Sequence, residues 1–203
     1  MKKTVLTIVR HGQTEWNRIR RMQGQSDILL NPTGKNQVRQ LREKLKRTPF
    51  DIIIASPLGR TRQTAQILAR GRRVHFDARF KERNHGHLEG LHPEQVEVRF
   101  PTLKQDQAKH GIDWHPGGSG ETSRVFQKRV VDAVKDVLHQ HRGKRILLVT
   151  HGGVMRSIIT WAHGIKPEHI FGIRHPKNAE HACVVHDGTH CHVAFYPELL
   201  KKH

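Results

Sequence analysis

The chain has 203 residues, with 36 Lys or Arg against 18 Asp or Glu and a formal net charge of +18 at pH 7. That length suits one domain whose core needs no staples, and two cysteines, Cys183 and Cys191, cannot build a disulfide scaffold or a Cys-based zinc site. No apolar run approaches the roughly 20 residues that span a bilayer, while the positive excess draws polyanions: nucleic acid, anionic lipid or phosphorylated metabolites.

In chain order, Thr4–Val9 is a β-branched run that Arg10 ends too early for the apolar core of a signal peptide. It reads as a strand, and the protein as cytoplasmic. Asn31-Pro32-Thr33-Gly34 is a turn and helix start, and Val38, Leu41 and Leu45 follow at helical spacing. Asp51–Ala55 is a short apolar run of the kind found in buried parallel strands. Ser56-Pro57 opens a second helix through about Ala69, and Val74–Asp77 is a candidate third strand.

From about Phe80 to Gly120 the chain is irregular and rich in His, Gly and Pro, with one short helix expected near Pro93–Phe100. This stretch is the candidate cap over a site. Thr122 or Ser123 then caps a long helix to about His141, with Val125, Val130, Val134 and Val137 expected in its core stripe. Arg145–Thr150 is a strand and Gly152–Ala162 a helix, and Glu180–His186 with Thr189–Ala194 reads as an antiparallel hairpin. A two-residue turn at Asp187-Gly188 would set Cys191 opposite Val184, leaving two free thiols. The alternation predicts a three-layer α/β/α sandwich with a mostly parallel central sheet. It would be one domain over 1–203 with a small helical cap at about 80–120.

Ligands in such a fold bind beyond the carboxyl ends of the strands. Two strands run into histidine and glycine there, at Arg10-His11-Gly12 and at His151-Gly152-Gly153. The strand at 51–55 leads to Arg60, whose planar fork with that of Arg10 suits phosphate oxygens. Two imidazoles and two guanidiniums outline a phosphoryl-transfer site, in which one imidazole attacks phosphorus. Glu82 and Glu89 are the carboxylates available to protonate a leaving oxygen.

Arg10-His11-Gly12-Gln13-Thr14-Glu15-Trp16-Asn17 resembles the signature of the histidine phosphatase superfamily, which includes phosphoglycerate mutases. Further blocks keep that family's order: Arg21-Met22-Gln23-Gly24, Pro32-Thr33-Gly34, Ser56-Pro57-Leu58-Gly59-Arg60, Glu82 with Gly86 and Glu89-Gly90, Gly120-Glu121-Thr122, and Thr150-His151-Gly152-Gly153. The triplet alone would be weak; the ordered set spans nearly the whole chain.

The resemblance implies a phosphoglycerate mutase-like fold and assigns roles. His11 would be the nucleophile that becomes phosphohistidine, and Arg10, Arg60 and His151 would hold the transferring group. Glu82 would be the proton donor, with Glu89 bracing its loop, and Gln13 and Asn17 would be further phosphate contacts. It implies no metal and no cofactor. Leu88, His85, Thr61 and Thr122 depart from the residues usual at their positions, and leave every chemical group in place.

The short stretch between Glu82 and His151 favours hydrolysis over the mutase reaction, whose enzymes carry a longer insertion there. The expectation is therefore a compact phosphomonoesterase acting on small phosphorylated metabolites, with a cofactor-dependent phosphoglycerate mutase as the alternative. The alternative from another class is a nucleic-acid-binding protein, suggested by the net charge and the runs Arg18–Arg21 and Arg70–Arg73, but without a stacking stripe. Only non-specific nucleic-acid binding is expected, no membrane partner, and an oligomeric state left open, a dimer included. The pairs His85/His87, His139/His141 and His190/His192 read as solvated surface rather than a metal site.

Overall fold

The computed structural model of the chain describes residues 2–195; Met1 and residues 196–203 lie outside the described residues. Among the described residues six strands make one sheet: β1 (Thr4–Arg10), β2 (Ile52–Ala55), β3 (His75–Phe76), β4 (Arg145–Thr150), β5 (His181–His186) and β6 (Cys191–Phe195), in the spatial order β3-β2-β4-β1-β5-β6. β3, β2, β4 and β1 run parallel, and β5 and β6 form an antiparallel hairpin against β1. The three-layer sandwich read from the sequence is the observed fold.

The helices follow from their caps and apolar spacing. α1 (Glu15–Arg18) starts at Thr14 through a reciprocal capping box with Asn17. α2 (Pro32–Lys44) starts at Asn31, whose side chain accepts from the Gly34 N–H, with Pro32 at its first position. α3 (Gly59–Ala69) packs beside α2 on one sheet face, over Val9, Ile53, Ala55, Leu147 and Val149. α6 (Ser123–Gln140) and α7 (Gly152–Ala162) cover the other face, over Leu6, Ile8, Ile54, Ile146 and Leu148. Odd and even residues of β1, β2 and β4 thus enter opposite layers, as the strand period of two requires.

Three expectations need correction. Val125 is 56% exposed; Phe126 takes the core position in α6, together with Val130, Val134 and Val137. The cap holds two helices, α4 (Pro93–Arg99) and α5 (Leu103–His110), of which only the first was legible. α5 reads Leu-Lys-Gln-Asp-Gln-Ala-Lys-His, with Leu103 and Ala108 as its apolar residues, so it offers no apolar period to read. The β5–β6 loop is also longer than a two-residue turn. Asp187 accepts from the Thr189 and His190 N–H groups, Cys191 stands opposite His186, and Val184 faces Val193. Both cysteines are free.

The Val125 correction has a direct readout. Phe126→Ala should cost about 3–5 kcal/mol of unfolding free energy, and Val125→Ala should stay within about 0.5 kcal/mol of the parent. Urea denaturation monitored by circular dichroism measures both.

Candidate active site

Strand register assembles the floor of the site. Arg10 pairs with Thr150, and Val9, Val149 and Ala55 form the row before it. One step further the ladder continues, with the His11 N–H donating to the Thr150 carbonyl at 3.0 Å and the Ser56 N–H to the Val149 carbonyl at 3.0 Å. His11 and His151 therefore emerge side by side, ring centroids 5.4 Å apart and planes at 65°.

His11 is 3% exposed, and its Nδ1 lies 2.7 Å from the carbonyl of Gly12. A carbonyl only accepts, so Nδ1 carries the proton and the Nε2 lone pair is left for attack. The tight path depends on glycine: a Cβ on Gly12 would sit 2.5 Å from the Gly34 carbonyl oxygen at the start of α2. His151 caps α7 from a fully buried position, its Nε2 2.8 Å from the Ser56 hydroxyl and its buried Nδ1 without a hydrogen-bond partner. Burial first, then the Arg60 charge, hold both imidazoles well below the ordinary histidine range. Both are neutral at pH 7, the state a nucleophilic imidazole needs.

Arg60, from the first turn of α3, is 1% exposed. Its Nη1 and Nη2 donate to the Ser26 and Gly24 carbonyls, each at 2.7 Å, while its Nε is buried without a partner. Burial brings its pKa down to about 10, so it remains a cation at neutral pH. Arg10 lies against the other side of the cleft, its Nη1 2.5 Å from the Pro176 carbonyl and 3.2 Å from Nδ1 of His175. Arg62, two residues on, is exposed and stacks on Phe76.

The Glu82 carboxylate accepts from the Gly153 N–H of α7 at 2.9 Å and from the Arg83 N–H at 2.9 Å. Its loop is fastened from α6: Arg129 forks onto Glu121, at 2.8 and 2.7 Å, and donates to the Lys81 carbonyl at 3.0 Å. Glu89 engages both its oxygens elsewhere, accepting from the Gln25, Ser26 and His85 N–H groups and the Ser26 hydroxyl. It shapes the segment whose carbonyls grip Arg60.

The cleft measures about 790 Å³ and is lined by Arg10, His11, Asn17, Arg60 and Glu82 among the residues singled out in the sequence, and also by His85, which the sequence placed on the solvated surface. His151 lies just beneath, against His11. Gln13 is not brought in: its Oε1 accepts from Asn31 Nδ2 at 2.9 Å, which braces the helix start. Asn17 borders the cleft while its Oδ1 accepts from Thr14 and from Asn178 Nδ2.

Two residues that the sequence does not mark as site residues join them. Ser56, known only as part of a motif, is the partner of His151. His175, far along the chain, lines the cleft and packs on Gly152; burial and the Arg10 charge bring its pKa to about 4. No local signal distinguishes His175 from the other histidines. The upper walls come from Trp16 and Met22 on one side and from Val96, Phe100 and Leu103 of the cap on the other. Among the described residues no group of three or more His, Cys, Asp or Glu could share a metal ion. No helix there is long and apolar enough to cross a membrane.

Fold and cleft together define an α/β protein with a cationic, imidazole-bearing crevice at the carboxyl edge of its parallel strands. The chain belongs to the histidine phosphatase superfamily, branch 1, whose sequence model matches residues 6–198. A Bacillus subtilis (strain 168) protein named as the uncharacterized phosphatase PhoE is 33% identical over 168 residues, 81% of this chain and 80% of that protein. The probable phosphoglycerate mutase GpmB of Escherichia coli K12 is 34% identical over 160 residues, 78% of this chain and 74% of its own. Among solved structures, Bacillus stearothermophilus YhfR superposes with a TM-score of 0.86 at 28% identity, over 94% of this chain and 95% of that one. A mutant phosphoserine phosphatase of Entamoeba histolytica in complex with phosphoserine gives 0.83 at 27%, over 95% of each chain.

The contact between Gly153 and Glu82 can be tested on its own. A Cβ on Gly153 would sit 2.3 Å from Glu82 Oε1, the mobile end of a side chain. Gly153→Ala should therefore displace the carboxylate by about 1 Å, lower kcat on alkyl phosphates on the order of 10²-fold, and leave the melting temperature close to the parent's.

Proposed function

We propose that this protein is a phosphomonoesterase that hydrolyses small phosphorylated metabolites through a phosphohistidine at His11, without a metal ion. The observation that carries this reading is the His11 tautomer. Its Nδ1–H is committed to the Gly12 carbonyl, which leaves the Nε2 lone pair on an imidazole that lines the cleft with Arg10 and Arg60.

The substrate phosphate sits between the Arg10 and Arg60 guanidiniums, with His151 beneath it. The Nε2 lone pair of His11 attacks phosphorus as the ester P–O bond breaks, and Glu82 gives its proton to the departing oxygen. Water then attacks the phosphohistidine, Glu82 takes up one of its protons, and His11 leaves as a neutral imidazole. The guanidiniums supply the positive field for the equatorial oxygens, an effect worth several kcal/mol at sites of this kind. A cleft of about 790 Å³ leaves room for a metabolite-sized leaving group under the α4–α5 cap.

A second reading, a mutase that needs a bisphosphorylated cofactor, is favoured by the likeness to proteins named as probable phosphoglycerate mutases. The experiment that separates the two is phosphate release from nitrophenyl phosphate and a metabolite panel, with chelator present and 2,3-bisphosphoglycerate added or omitted. Chelator-resistant release without the bisphosphate is expected. Interconversion of 3- and 2-phosphoglycerate that requires it, with little release, would replace the phosphatase reading.

Variants and pH extend the test. His11→Ala should abolish turnover and any acid-labile phosphoenzyme. Glu82→Gln should slow alkyl phosphates far more than nitrophenyl phosphate, whose leaving group needs little protonation; equal losses would remove Glu82 as the acid. Attack requires neutral His11, and its depressed pKa means that protonation begins only well below pH 6.5. The acidic limb of kcat/KM assigned to His11 should lie well below that value, and a limb at about 6.5 would contradict the buried, Arg-flanked imidazole.

A further inference from the structure

The charge of this chain is unevenly placed. Between residues 35 and 73, ten exposed or half-exposed Lys and Arg side chains stand against two acids, Glu43 and Asp51. These residues belong to the α2–α3 layer and its connections. The α6 layer is different: Arg124, Lys128 and Arg129 each hold their own carboxylate, at 2.7, 2.6 and 2.7 Å. On the α2–α3 side Arg42 and Arg70 share the single Glu43, at 3.4 and 3.7 Å, and Asp51 accepts from the Arg145 N–H.

Four of these cations converge. Arg42, Lys46, Arg70 and Arg72 border one groove of about 240 Å³ with Leu45 and Phe50 in its lining. Arg72 Nη2 donates to the Phe50 carbonyl at 2.6 Å, and Arg70 Nη2 reaches the Arg42 carbonyl at 3.5 Å. Each guanidinium has five N–H donors, so these anchors orient the forks without exhausting them. α2 and α3 both begin at the catalytic edge, where Gly34 meets Gln13 and Arg60 enters the cleft. Their C-terminal ends, and the groove, lie at the opposite edge of the sheet.

Basic residues often do no more than complement the negative end of a helix. Two helix C-termini amount to about one unit of negative charge, and Glu43 and Asp51 add two. Against these stand the seven Lys and Arg at positions 42–47 and 70–73. About four positive units remain at one end of the molecule, more than helix complementation calls for.

We propose that the groove at the C-terminal ends of α2 and α3 binds the phosphate backbone of nucleic acid, independently of sequence and apart from the catalytic cleft. Five of the seven cations are arginines, whose planar forks match phosphate oxygens. An anionic membrane is the less fitting occupant. Surface-bound proteins insert exposed apolar side chains, and the large exposed ones described here, Leu29, Phe76, Val98, Val125 and Phe195, lie outside the groove lining.

The test is fluorescence anisotropy of a labelled single-stranded oligonucleotide titrated with the full chain, between about 50 and 200 mM salt. Loss of three phosphate contacts in Arg42→Gln/Arg70→Gln/Arg72→Gln should flatten the slope of log K against log salt by about 2 and weaken binding roughly tenfold or more. The triple variant should keep the parent's circular dichroism melt and its hydrolysis of nitrophenyl phosphate. Arg124→Gln/Lys128→Gln/Lys135→Gln, on the α6 face, should leave binding unchanged. Equal weakening by both triples would show diffuse charge and no site, and absence of binding at low salt would end the proposal. Tighter binding to phosphatidylserine vesicles than to the oligonucleotide would replace nucleic acid by membrane. Competitive inhibition of hydrolysis by the oligonucleotide would move it into the catalytic cleft.

Discussion

The burial of the Arg60 guanidinium is the constraint on which the site depends. Taking a cation out of water costs several kcal/mol unless its donors are met. Here the Gly24 and Ser26 carbonyls accept from it, and Glu82, Asp27 and Glu89 favour its charge through space. Those carbonyls stand where they do because Glu89 accepts from the backbone of Gln25 and Ser26. Gly24 has φ +51°, and a Cβ there would meet the Glu89 carboxylate at 2.0 Å. Arg60 in turn helps to hold His11 and His151 neutral. One buried charge thus links a loop, a brace and the protonation state of the two imidazoles.

The two ends of the sheet are built differently. At the carboxyl edge, strand register, glycines and helix starts crowd backbone and cationic side chains around a cleft. The walls above it come from α4 and α5, which bury no residue of their own and add little to the core. The larger part of the core lies between α6, α7 and the sheet, where Phe126, Val130, Val134, Ile158 and Ile159 are buried, and the rest under α2 and α3. The walls of the cleft can therefore change with cap sequence while its floor stays supported. At the other edge, helix C-termini carry positive charge that nothing in the core requires.

Much of this was legible because it is local. Thr4–Arg10, Ile52–Ala55 and Arg145–Thr150 are strands since their apolar runs fill both faces of a sheet. α2, α6 and α7 carry caps and apolar spacing that need no tertiary context. Arg10, His11 and His151 stand at strand ends, and Arg60 and Glu82 in ordered motifs, so they could be singled out as candidates. α5 was illegible because its apolar residues, Leu103 and Ala108, stand five apart and mark no helical face. The placing of Val125 failed because adjacent positions of a helix differ by about a quarter turn, and only the packed layer shows that Phe126 points inward.

By itself the sequence determined the alternation of strands and helices, the family, and the chemical groups at the strand ends, since each is encoded within a few neighbouring residues. Only the tertiary structure decided that His11 and His151 lie 5.4 Å apart, that Ser56 and His175 join them, that Gln13 turns away to Asn31, and that Arg42, Arg70 and Arg72 gather around one groove. The reason is physical: burial, register and the field at a side chain are set by residues distant along the chain, and no local pattern records them.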